Sequence, residues 1–150
     1  NKIFKGDLIV RICADNPFID PLIIDSLIYK FNHNKYEYAN NAFSLFNSNY
    51  PDGFGAEIFT NKTLNKLSKI TIKKKHKEHL TSYLLENKKK FKIQKIKTPK
   101  NIAYPNLKFD IDTYEDYEKI NNIVKKYNIV LNSKSHEIIN LVKKNDKFNR

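Results

Sequence analysis

The stretch Ile9-Val10-Arg11-Ile12-Cys13-Ala14-Asp15-Asn16-Pro17-Phe18-Ile19-Asp20-Pro21 decides how this chain is read. Leu8 to Ala14 is an apolar run and reads as a strand buried on both faces. Asp15-Asn16-Pro17 breaks it with turn residues, and Asp20 then caps a helix whose first position is Pro21. A strand ending in a carboxylate, then a turn, then a helix is how open α/β sheets present ligand-binding groups, because ligands sit beyond the carboxyl ends of the strands. Asp15 is therefore the first candidate for a site residue.

Outward from this stretch the pattern stays α/β. Ile23, Ile24, Leu27, Ile28 and Phe31 follow helical spacing, and the helix is expected to end at Asn32-His33-Asn34. Tyr36 to Asn40 reads as a short strand. Tyr50-Pro51-Asp52-Gly53-Phe54-Gly55 holds two of the three glycines, where the backbone can turn sharply or let a ligand approach. Ala56 to Phe59 is a strand, and Thr60 or Asn61 caps a helix to about Lys69. A second helix, about Lys75 to Asn87, carries Glu78, His79 and Tyr83, the last two on one face. Phe91 to Ile96 and Leu107 to Asp112 alternate as strands, the latter again ending in carboxylates. Thr113 or Asp112 caps the next helix, with Glu115 and Asp116 in its first turn, and this helix is expected to bury Tyr117, Ile120, Ile123, Val124 and Tyr127. Ser135 opens a last amphipathic helix through Ile138, Ile139, Leu141 and Val142. Neither a repeat nor a linker interrupts residues 1–150, which are read as a single domain.

With 40% hydrophobic and 29% charged residues, the composition is that of a globular protein with one core. No apolar run has the roughly 20 residues of a membrane span, and the first residues lack the apolar segment of a signal peptide. No membrane partner and a cytoplasmic setting are expected. The single cysteine, Cys13, forms no intrachain disulfide and is expected to be a small buried hydrophobe. A net charge of +12 invites a nucleic-acid reading, but the lysine excess runs with Asn and Ile along the whole chain. The runs Lys73-Lys74-Lys75 and Lys88-Lys89-Lys90 lack interleaved aromatics, so no nucleic-acid partner is expected. The absence of methionine points to a fragment or a processed chain.

Asp15 and Asp112 each end an expected strand just before a helix. If the strands are neighbours, two carboxylates 97 residues apart converge. Mg²⁺ commonly takes one or two protein carboxylates and completes its shell with phosphates and water. From spacing alone both residues also read as simple turn and helix-capping aspartates. Glu57 is either a substrate contact or a solvent-facing strand residue, and His79 either a ligand or a partly buried helix histidine. His33, His76 and His136 have polar neighbours and are expected to be exposed. Zinc-like spacing, a Ser-His-Asp order and a Gly-rich phosphate loop are all absent.

Four segments carry a family resemblance: Arg11 to Pro21, Tyr50 to Phe59, Glu78-His-Leu-Thr-Ser-Tyr83, and Phe109-Asp-Ile-Asp-Thr-Tyr-Glu-Asp116. In this order and spacing they resemble the spore-coat-polysaccharide-type (SpsF-like) cytidylyltransferases, relatives of the acylneuraminate and KDO cytidylyltransferases. The resemblance runs from about Gly6 to Tyr127. It implies a GT-A-like nucleotide-diphospho-sugar transferase fold, a mixed sheet flanked by helices. It also implies a Mg²⁺-dependent transfer from CTP to a sugar or sugar acid, giving a CMP-sugar and pyrophosphate for surface polysaccharide or glycan synthesis, in a homodimer. Asp15 and Asp112 fall on the metal-binding, catalytic aspartates. Asp52, Gly53, Glu57, Glu78 and His79 fall on segments that resemble sugar-pocket or dimer-contact elements. The family's Gly- and Arg-containing CTP loop has no match here, and Lys77 stands where many relatives carry arginine. The chain thus resembles the C-terminal portion, expected to be inactive alone. The alternatives are a non-catalytic binding or assembly module and a basic nucleic-acid-binding protein.

Overall fold

The computed structural model describes residues 6–41, 48–70, 76 and 80–143. The elements in order are β1 (Leu8–Ile12), α1 (Pro21–Lys30), β2 (Tyr38–Asn40), β3 (Ala56–Thr60), α2 (Asn61–Ile70), α3 (Leu80–Glu86), β4 (Ile93–Lys95), α4 (Tyr114–Tyr127) and α5 (Ser135–Val142). Short 3₁₀ turns lie at Lys88–Lys90 and Lys100–Ile102.

The strands form one mixed sheet in the order β1-β3-β2-β4. β3 runs antiparallel to both neighbours, and β2 pairs in parallel with β4. Leu8–Ala14, expected to be buried on both faces, instead supplies the edge strand β1, and the strand covered on both faces is β3, whose Ala56, Glu57, Ile58 and Phe59 are all buried. β1 pairs on one side only among the described residues and is half-buried, with Ile12 open to solvent. Nor does Cys13 sit in the core: it follows the strand and is partly exposed.

Alternation along the strands separates two cores. On one face Leu27 and Phe31, from α1 and its end, pack on Ala39, Ala56 and Ile58. On the other, Leu67 of α2 and Leu84 of α3 pack on Tyr38 and Phe59. Each fully buried side chain of this size contributes about 1.5–3 kcal/mol. A third core joins Ile23, Tyr50, Phe54, Leu107 and Phe109 to Ile120 and Ile123 of α4 and Ile138, Ile139 and Val142 of α5. Tyr117 and Leu141, expected inside, lie on the outer faces of α4 and α5.

The helix starts follow the capping chemistry of the sequence. Asp20 caps α1 by accepting from Leu22 N–H at 2.9 Å, with Pro21 in the first turn. Thr113 and Asp116 form a reciprocal capping box at α4, which settles the cap in favour of Thr113. Leu107–Asp112, by contrast, is not a sheet strand. It runs extended beneath α4 and makes a single parallel bridge, Lys108 to Asp52. Among the described residues no helix is long and apolar enough to cross a membrane.

Candidate functional site

Three loops meet where β1 ends and β3 begins, at the Ile12–Ala56 pair. Asn16 Nδ2 donates to the Gly55 carbonyl at 3.2 Å, tying the first turn to the glycine segment. Ile111 N–H donates to the Asp15 carbonyl at 2.9 Å, tying the same turn to the third segment. That segment is in turn held to the glycine loop by Asp52 N–H to Leu107 O at 3.0 Å and Phe109 N–H to Asp52 O at 3.1 Å. Asp15 and Asp112 are thus brought onto adjoining backbone, although not through neighbouring strands of one sheet. The Asp15 residue and the Asp112 side chain are both exposed, the latter by 60%.

Gly53 makes this convergence possible. Its φ is 89°, and a Cβ there would lie 2.6 Å from Asp110 N and Phe109 C. Only a residue without a side chain lets the two backbones approach so closely. The Asp52 carboxylate accepts from Gly53 N–H at 3.2 Å and so shapes the same turn.

Lys108 lies at the centre of a cluster that the sequence reading missed. Its Nζ contacts Asp112 Oδ2 at 3.0 Å and Asp110 Oδ2 and Asp116 Oδ2 at 3.2 Å each. Burial alone would lower this ammonium, but hydrogen bonds to the three carboxylates raise it well above the ordinary lysine value. The same contact, with a hydrogen bond from Asp110, holds the Asp112 carboxyl below the usual range. Asp110 is pushed up, chiefly by burial, and its Oδ1 is buried without a hydrogen-bond partner among the described residues. The signal in the sequence was the Lys-x-Asp-x-Asp-x₃-Asp spacing of Lys108, Asp110, Asp112 and Asp116.

Glu57 is neither solvent-facing nor free. Arg11 lies opposite it in the β1–β3 register, and Arg11 Nη1 donates to Glu57 Oε2 at 2.8 Å. Tyr38 hydroxyl donates to Glu57 Oε1 at 3.0 Å. Burial, then the adjacent Glu57 charge, pushes the Tyr38 phenol well above its ordinary value, so it remains the donor. Glu78 and His79, as well as Lys77, lie outside the described residues. His76, expected to be exposed, is buried: its Nε2 is 3.0 Å from Glu86 Oε2 and its ring packs edge-on against Tyr83. Among the described residues no group of three or more His, Cys, Asp or Glu side chains is placed to hold a metal by itself.

Comparison with known proteins gives this geometry a family context. The family model described as Cytidylyltransferase matches residues 2–149. An uncharacterized protein of Methanocaldococcus jannaschii is 29% identical over 97% of this chain and 57% of its own length. The spore coat polysaccharide biosynthesis protein SpsF of Bacillus subtilis is 28% identical over 94% of this chain and 57% of its own. Among solved structures, a cytidylyltransferase from Leptospira borgpetersenii is similar with a TM-score of 0.79 and 31% identity, over 94% of this chain and 58% of that one. The chain therefore spans a little over half the length of these relatives.

Proposed function

The chain belongs to the cytidylyltransferase family, and on that premise we propose that it carries the metal- and sugar-binding side of an enzyme that activates a sugar or sugar acid with CTP. A sugar hydroxyl attacks the α-phosphorus of CTP. The new P–O bond gives a CMP-sugar as the bond to the leaving pyrophosphate breaks. The observation that carries this reading is the Ile111–Asp15 hydrogen bond, which sets Asp15 beside the segment bearing Asp112. In this reading the fold is the C-terminal part of a GT-A-like transferase, working as a homodimer in the cytoplasm to supply surface polysaccharide or glycan synthesis.

Asp15 and Asp112 are the residues that would hold Mg²⁺. Their exposed carboxylates on adjoining backbone, with the orphaned Asp110 Oδ1 nearby in the chain, fit a hard cation that needs only one or two protein oxygens. When bound, such an ion neutralises charge developing on the phosphates and orients an in-line displacement. The Lys108 ammonium, 3.0 Å from Asp112 Oδ2, would share this carboxylate with the ion. Asp52 and Gly53 shape the loop wall beside it. Glu78 and His79 complete the proposal as sugar contacts. Glu57 acts at one remove, because both its oxygens are engaged by Arg11 and Tyr38.

The test is to incubate the complete gene product with CTP, Mg²⁺ and a panel of keto sugar acids, amino sugars and polyol derivatives. Pyrophosphate and a CMP-sugar should form with one class. Pyrophosphate release with none of them would contradict the reading. The 150-residue chain by itself should bind CTP weakly in isothermal titration, and tight binding would show that it holds the nucleotide loop in another form.

A further inference from the structure

Of the 28 basic residues only Arg11 and Arg150 are arginine. A sequence that supplies positive charge almost entirely as lysine keeps a guanidinium at one described position, and that position lies at the end of β1 beside the convergent loops. Lysine is a flexible point charge, whereas arginine offers a planar fork of donors that matches the paired oxygens of carboxylate or phosphate. Arg11 is also held in place. Glu57 grips it at 2.8 Å, and Tyr38 grips Glu57 from β2, so three strands fix one guanidinium.

The grip is one-sided. Among the described residues Glu57 is the only carboxylate paired with Arg11, through Nη1 alone. The Arg11 side chain keeps 34% of its surface open, while Glu57 keeps 11%. Arg11 is the last residue but one of β1 and Asp15 lies in the turn that follows the strand, so both belong to the same end of the sheet. A purely structural ion pair would not need the forked, exposed half of the guanidinium.

We infer that Arg11 receives an anionic group of a substrate, carboxylate or phosphate, and that Glu57 is the positioning residue that aims it. This rests on the transferase reading above and narrows it: one substrate presents a paired-oxygen anion to the end of β1. Two sources share that chemistry, the carboxylate of a sugar acid and a phosphate of CTP or pyrophosphate.

The experiment uses Arg11→Lys, which keeps the charge and removes the fork, and Glu57→Gln, which keeps the shape and removes the charge. In the complete gene product Arg11→Lys should raise one KM by about tenfold or more, as expected for losing a charge-assisted hydrogen bond, with little change in kcat or in the unfolding midpoint. Glu57→Gln should raise the same KM. Tyr38→Phe, the mildest change, should do so to a smaller degree, which keeps the test usable if Glu57→Gln folds poorly. A rise confined to CTP assigns the phosphate, and a rise confined to the sugar assigns the carboxylate. Unchanged KM values in an active Arg11→Lys enzyme overturn the inference and leave the transferase reading standing. If the wild type forms no CMP-sugar, the transferase reading fails, and calorimetric titration with pyrophosphate and with a keto sugar acid decides the role of Arg11. Weaker binding of either probe by Arg11→Lys supports it, and equal binding overturns it.

Discussion

Asp20 and Ser135, 115 residues apart, are joined by two hydrogen bonds: Ser135 N–H and hydroxyl both donate to Asp20 Oδ2, at 2.9 and 2.8 Å. The other oxygen of the same carboxylate caps α1. One buried side chain thus satisfies the start of α1, just after the Asp15 turn, and the start of α5, near the end of the described chain.

Replacing Asp20 by alanine should cost about 2–3 kcal/mol, because it removes a cap and leaves the Ser135 donors unpaired in the interior. The pH dependence has a definite sign. Burial alone would raise this carboxyl, but the donors from Ser135 and Leu22, with His136 nearby, hold it below its ordinary value. A depressed native carboxyl stabilises fully above its unfolded value and loses that contribution as pH falls through the native one. Urea unfolding at neutral pH should therefore separate wild type from Asp20→Ala, and the gap should narrow on acidification below about pH 4.

Gly53→Ala should destabilise the protein by about 2 kcal/mol or more, since the backbone is left-handed and the added methyl group meets main-chain atoms of Phe109 and Asp110 at 2.6 Å. Those atoms belong to the segment that carries Asp112, so the variant should also lose activity beyond its loss of stability. A shift in the urea midpoint of less than a quarter of what Asp20→Ala produces would show that the loop yields easily.

Lys108→Met removes the cation shared by Asp110, Asp112 and Asp116. Without Mg²⁺ the variant should unfold more readily, by roughly 1–3 kcal/mol, because partly buried carboxylates lose their counter-ion. Added Mg²⁺ should then raise its unfolding temperature more than it raises that of the wild type, since the ion no longer shares Asp112 with an ammonium. Equal Mg²⁺ shifts in both proteins would separate the lysine cluster from the metal.

Local signals were legible and long-range partners were not. The Asp20-Pro21 start, the Thr113–Asp116 box, β2, β3 and β4 all follow from short-range spacing, and the structure places them within a few residues of expectation. Leu107, Phe109 and Ile111 alternate as a strand does, and Leu107 and Phe109 are indeed buried. Their partner, however, is a single residue of the glycine loop, so no ladder forms. His76 has polar neighbours in sequence but is covered in space by Tyr83 and paired with Glu86. For Glu57, whose neighbours Ala56 and Ile58 alternate with it, the sequence leaves both a substrate contact and a solvent-facing position open. Helices cover both faces of β3, and its partner Arg11 lies 46 residues away. A shared place at the end of an expected strand pairs Asp15 with Asp112, and the resemblance gives the pair a metal-binding role; the backbone bond through Ile111 is what joins their segments in space.

The central claim is that Asp15 and Asp112 serve one Mg²⁺-dependent transfer. The most direct measurement is pyrophosphate release by the complete gene product from CTP and its sugar, compared with Asp15→Asn and Asp112→Asn at matched folding. Each substitution keeps the side-chain size and removes the charge that a hard cation requires. Both variants should fall to about one hundredth of wild-type kcat or less, a loss of at least roughly 2.7 kcal/mol of transition-state stabilisation, with partial recovery in neither. Full activity in both would contradict the account.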